Sequence, residues 1–151
     1  MNTPADPVSA GARAANLLEE VCRSAQGSAY ASRLEVVREL ALDIGRQLDA
    51  LAGLAGEDVS PDVLVEAAIC CADLANVAAC NAPDLPPDAA PRAAEAARLA
   101  AGAVGALGPM IEAGSGDPGA GNLVRDARSA AWRAGFAARL VDGSPEEGSP
   151  G

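Results

Sequence analysis

From residue 28 to residue 55 the apolar positions recur at alternating steps of four and three: Tyr30, Leu34, Val37, Ala41, Ile44, Leu48, Leu51 and Ala55. Such a seam lies along one side of an α-helix and predicts packing against an antiparallel partner in a bundle or coiled coil. The punctuation around it places the other elements. Asp6 and Pro7 suit the cap and first turn of a helix running to about Gln26, where Gly27 breaks it. Gly53 and Gly56 close the second helix, and Ser60-Pro61 opens a third that runs to about Cys80. NAPDLPPD (81–88) is too proline-rich to stay helical. A fourth helix is expected over about 89–113, bending at Gly108-Pro109, and a fifth over about 122–141, after the flexible loop GSGDPGAG (114–121). No stretch alternates with period two, so no sheet is expected. The expectation is an all-α, four- or five-helix, mostly antiparallel bundle with alanine- and glycine-rich packing and the third helix central. It forms a single domain over 7–141, with disordered ends at 1–6 and 142–151.

The third helix contains AAICCADLANVAACN (67–81), which holds three of the four cysteines. At 100° per residue, Glu66, Asp73, Asn76 and Cys80 fall within about 40° of Asp62 and make one narrow polar stripe. Cys70 lies at the edge of that stripe and Cys71 points about 180° away, into the apolar face. Adjacent cysteines on a helix diverge, and Cys80 stands about 15 Å along the axis from Cys70, so the cluster does not converge on a metal. Buried structural thiols are the expectation for Cys22, Cys70 and Cys71, with Cys80 the one to be exposed. The stripe Glu66, Asp73, Asn76 and Cys80 reads first as a solvated face. Its competing reading is a polar ligand pocket, where a carboxylate pair could bind a cation or do acid–base work.

Gly102, Gly105 and Gly108 recur every third residue among alanines of the fourth helix. Glycine weakens a helix, so a compensating close helix–helix contact is expected there. The fifth helix divides into a small-residue stripe (Leu123, Ala127, Ala130, Ala134, Ala137, Val141) and a second face carrying Trp132, Phe136 and Leu140 among Arg125, Arg128, Arg133 and Arg139. Two of the chain's three aromatic residues share that face. Trp132, Phe136, Arg125, Arg128 and Arg139 are therefore candidate interface residues, since tryptophan and arginine anchor protein interfaces.

Composition narrows the chemistry. The net charge of −10 argues against nucleic acid and anionic membranes as partners. All eleven basic residues are arginine, which excludes a Schiff-base lysine and a Walker A lysine. The absence of histidine removes Ser-His and Cys-His pairs, histidine-ligated zinc and titration near neutrality. GSGDPG (114–119) matches a dinucleotide fingerprint in letters only; a helix precedes it, Asp117 would repel phosphate, and Pro118 lacks an amide donor. MNTPADPVSAGARAAN has neither a basic region nor an apolar run, so no signal peptide is expected. The apolar stretch Leu99–Ile111 is too short to span a membrane. A cytoplasmic setting with reduced cysteines follows as the expectation.

Residues 89–113 followed by GNLVRDARSAAWRAG (121–135) resemble the last helices of the formiminotransferase-cyclodeaminase helical-bundle family. Gly121, Asn122, Asp126, Ala127, Ala130 and Ala131 carry the likeness. It implies a shared bundle scaffold; the family's glycine-rich N-terminal segment and folate-site residues have no counterparts here. The leading expectation is thus a non-enzymatic interaction or scaffold protein, self-associating through the fifth helix or the heptad seam, or binding an acidic protein partner. No catalytic residue, metal ligand or cofactor is assigned. The alternatives are a small-molecule-binding or enzyme-like bundle with a pocket near Glu66, Asp73 and Asn76, and a thiol sensor acting through Cys80.

Overall fold

The computed structural model describes residues 5–25, 31–55, 59–114 and 121–142. Expectations for Gly27, Tyr30, Gly56, the 115–120 loop and the tail from residue 143 lie outside them. Five α-helices occur among the described residues, with no strand: α1 (Ala5–Ser24), α2 (Ala31–Leu54), α3 (Pro61–Asn81), α4 (Ala90–Gly114) and α5 (Gly121–Val141). The chain is an all-α helical bundle.

Local chemistry explains the boundaries. Ser60 is extended and its Oγ accepts from the Asp62 backbone N–H, while Pro61 fills the first helical position, where an N–H would have no partner. At the other end of α3, Pro83, Pro86 and Pro87 limit the chain to a short 3₁₀ turn, Ala82–Asp84, before α4. α1 begins two residues earlier than the Asp6-Pro7 signal suggests, so Asp6 sits in its first turn, where a carboxylate favours the helix dipole. α4 runs as one helix through Pro109, the position at which a bend was expected. The ring of a helical proline crowds the carbonyl four residues back, here that of Gly105. Gly105 is exposed and carries no side chain, which leaves that carbonyl room to tilt outward into water.

The heptad seam of α2 is used inside the bundle. Leu34, Val37, Ala41, Leu48, Leu51 and Ala55 are buried, and Ile44 is partly buried between two core clusters that together run the length of the molecule. One cluster gathers around Leu18, Leu34 and Leu74, the other around Leu48, Cys71 and Leu107. With its apolar members enclosed against α1 and α3, the seam is not available for self-association, one of the two routes its periodicity suggested. Ion pairs fix the directions. Glu20 at the end of α1 meets Arg92 at the start of α4, and Arg98 early in α4 meets Asp142 just past α5. α1 and α5 are therefore each antiparallel to α4.

α3 packs against all four other helices, as its narrow polar stripe implied. The segment Pro61–Asp84 is also long and apolar enough to cross a membrane by length and composition, a stronger stretch in that respect than Leu99–Ile111. Most of it is buried inside the bundle, which accounts for its apolarity.

The fourth helix requires a correction. Nothing lies within 4 Å of a Cβ built on Gly102, Gly105 or Gly108, so this stripe makes no close helix contact. The close approaches occur instead at Gly11 and Gly45. A Cβ on Gly11 would overlap Cys71 Sγ and come to 3.2 Å from Leu48 Cδ1; one on Gly45 would lie 3.3 Å from Ala15 Cβ. These two glycines let α1 settle onto α2 and α3.

Candidate functional site

The polar stripe of α3 faces outward. Glu66, Asp73 and Cys80 are exposed and Asn76 is half-buried, its Nδ2 donating to the Ala72 carbonyl at 3.0 Å. Asp73 accepts from Arg133 of α5 at 2.8 Å, a pairing that ties two helices together at the surface. The stripe therefore has the character of a solvated face between α2 and α5. Among the described residues no group of three or more cysteines or carboxylates could hold a metal ion.

The cysteines separate by burial. Cys22, Cys70 and Cys71 are buried and Cys80 is exposed, all four as free thiols. Burial pushes Cys22 and Cys70 up to about 11 and Cys71 up to about 12, with the nearby Glu19 and Glu66 carboxylates adding to the first two. These three remain protonated at neutral pH, and a protonated thiol is a poor nucleophile. Cys70 donates its S–H to Gln47 Oε1 of α2 at 3.2 Å, a partner that the sequence did not reveal. Asn81 is the one buried polar side chain among the described residues; its Nδ2 donates to the Val77 carbonyl at 2.7 Å.

The fifth helix is arranged differently. Ala127, Ala130, Ala134 and Ala137 are buried against α3 and α4, so the small-residue stripe packs closely. Trp132 is 67 % exposed, Phe136 44 % and Leu140 49 %. The two rings stack on each other, with centroids 5.9 Å apart and planes 6° from parallel, and the Arg139 guanidinium lies 6.0 Å from the Phe136 centroid. Offset stacking and a guanidinium over a ring are both mildly favourable in water, of order 0.5–1 kcal/mol each. They order the side chains and leave the outer surface of both rings open.

The arginines of this face divide into two sets. Arg128 pairs with Glu112 at 3.6 Å, and Arg133 is held by Asp73. Arg125 and Arg139 are exposed and have no ion-pair partner among the described residues. Beyond Leu140 the apolar surface continues into an open cleft of about 480 Å³ at the end of the bundle, lined by Pro83, Pro87, Pro91 and Val141 among others. The stripe residues Glu66, Asp73, Asn76 and Cys80 do not line it.

A second exposed apolar group, not foreseen from the sequence, lies on α2: Val36 is 59 % exposed, Leu40 43 % and Leu54 64 %. Helical phase could have found it, because all three lie together on one flank of the heptad seam, at the angle of the polar residue Gln47.

No protein-family model, curated protein or solved structure matches this chain. The resemblance of residues 89–113 and 121–135 to the cyclodeaminase bundle has no support in these comparisons.

Proposed function

We propose that this chain is a non-enzymatic interaction module, of the scaffold or adaptor kind, that self-associates through the outer face of α5. The observation that carries the reading is the exposure of Trp132, Phe136 and Leu140 on one helix face, in a chain with only three aromatic residues. Apolar surface left in water forgoes roughly 25 cal/mol per Å², and an aromatic cluster rimmed by arginine is the composition that interface centres favour. The bundle already has a continuous core without these side chains, so their value lies outside the monomer.

Other features support the reading. The solvated stripe on α3 gives an enzyme-like pocket no enclosure, and the buried thiols are held protonated. Four free thiols suit a reducing compartment, so a cytoplasmic setting is part of the proposal.

Light scattering coupled to gel filtration tests it. The wild-type chain is expected to show a mass above that of the monomer, falling with dilution, and Trp132→Ala is expected to weaken the assembly at least about tenfold without altering the helical signal. A wild type that stays monomeric at every concentration would sink the proposal, as would an assembly indifferent to Trp132→Ala.

A further inference from the structure

At 100° per residue, Arg125, Ser129, Trp132, Phe136 and Arg139 lie within about 40° of the line midway between the two rings of α5. The buried alanines Ala127, Ala130, Ala134 and Ala137 lie at least about 120° from that line. All five ridge residues are exposed, and the two rings already stack on each other. Arg125 and Arg139 have no ion-pair partner among the described residues. The outermost line of the helix is thus an aromatic pair with an unpaired arginine on either side.

The sign of the charge changes along this part of the chain. α5 carries Arg125, Arg128, Arg133 and Arg139 against a single carboxylate, Asp126. The residues that follow bring Asp142, Glu146 and Glu147 and no further cation. An antiparallel neighbour of the same sequence therefore meets the arginine-bearing start of α5 with its own acidic end. A parallel neighbour would set arginine against arginine, which costs affinity.

Resting on self-association through α5, we infer that the occupant of this face is α5 of a second copy, antiparallel, about a two-fold axis level with Ala134. A two-fold makes the contact isologous and closed. At that level Trp132 stands opposite Phe136 of the partner subunit, and the reverse, so the four rings form one cluster. Arg139 stands opposite Ser129 of the partner subunit, and Arg125 lies level with the point where the partner's chain leaves its α5. No ridge arginine then faces another. Moving the axis to the level of Trp132 would set Arg125 against Arg139 of the partner subunit. Asp126 and Asp142 stand about 100° off the ridge line, outside the contact. Four residues of chain beyond Asp142 reach up to about 14 Å, which brings Glu146 and Glu147 of the partner subunit within range of Arg125. The dimer covers the aromatic pair and supplies Arg125 with the carboxylates it lacks in the monomer.

Cross-linking tests the register. A Cys80→Ser background removes the exposed thiol. In it, Ser129→Cys and Arg139→Cys are purified separately, mixed at a concentration where the mass is that of a dimer, and treated with a short bis-maleimide. Positions 129 and 139 stand level across the contact, whereas 129 and 129, or 139 and 139, stand about 15 Å apart along the axis. The mixture is expected to give a covalent dimer, and each variant alone little of it. Circular dichroism and light scattering check that each variant keeps the bundle and the assembly. If either substitution prevents assembly, Arg128→Cys and Leu140→Cys, also level with each other, take their place. A further variant, Glu146→Gln with Glu147→Gln, is expected to weaken the dimer about tenfold at low salt and little at high salt. Cross-linking as strong in a single variant as in the mixture overturns the antiparallel pairing. So does its absence from the mixture while the wild type still assembles, and self-association through α5 then stands. A dimer indifferent to the two glutamates overturns their role at Arg125. A wild-type monomer at every concentration overturns both readings.

Discussion

Gly11 shows how much one missing side chain can decide. Three helices meet there, with Cys71 Sγ and Leu48 Cδ1 occupying the space that a Cβ would need. Gly11→Ala is expected to destabilise the bundle by about 1–3 kcal/mol, the usual cost of overpacking a core, read as a lower urea midpoint. The signal was present in the sequence as the spacing Gly11, Ala15, Leu18, Cys22, a seam in which glycine holds a core position. It was hard to see because glycine carries no hydropathy of its own, and spacing alone does not say whether its bare face meets a neighbour or water. The buried thiols give a second expectation at this scale. Cys22, Cys70 and Cys71 bind their protons more tightly folded than unfolded, since burial raises them from an ordinary 9.0 to about 11, 11 and 12. Their contribution is complete below about pH 9 and is lost as pH rises through 11 to 12. Urea midpoints should therefore be insensitive to these thiols up to pH 9 and fall above it, and replacing Cys71 by alanine should make that fall shallower. At neutral pH a thiol reagent should label Cys80 rapidly in the native protein and reach the other three only on unfolding.

At the scale of the element, α2 and α4 represent the two outcomes of reading periodicity. The four-and-three spacing of α2 was legible because leucine, valine and isoleucine fix which side of the helix is buried, and Leu34, Leu48 and Leu51 are on that side. The three-residue spacing of Gly102, Gly105 and Gly108 also marked one face, but the face is solvated. Here glycine only costs helix stability, with no close contact in return. Gly102→Ala and Gly105→Ala are each expected to raise stability by about 0.5–1 kcal/mol in urea unfolding, the opposite sign to Gly11→Ala. Had the stripe been a packing interface, both would be destabilising. The same contrast appears between α1 and α2. Glu19 accepts from Arg38 at 3.0 Å and from Arg23 at 3.2 Å, and Arg23 first, then Arg38, hold its carboxyl below the usual carboxylate range. Nothing in the hydrophobic pattern pointed to that link, because it joins polar residues nineteen positions apart that only the hairpin of α1 and α2 brings together.

For the whole molecule, the bundle leaves two groups of large apolar side chains exposed among the described residues, on α2 and α5. The face of α5 was legible in advance, since Trp132 and Phe136 fall off the small-residue stripe that packs inward. The face of α2 was not, because the heptad seam drew attention to the enclosed side of the same helix. The account stands or falls on whether the exposed aromatic pair becomes covered in solution. Trp132 is the chain's one tryptophan, so its fluorescence reports that face alone. The expected result is an emission maximum at short wavelength in concentrated solution that moves toward that of water-exposed indole on dilution, in step with the falling mass. An emission maximum typical of exposed indole at every concentration would contradict the account.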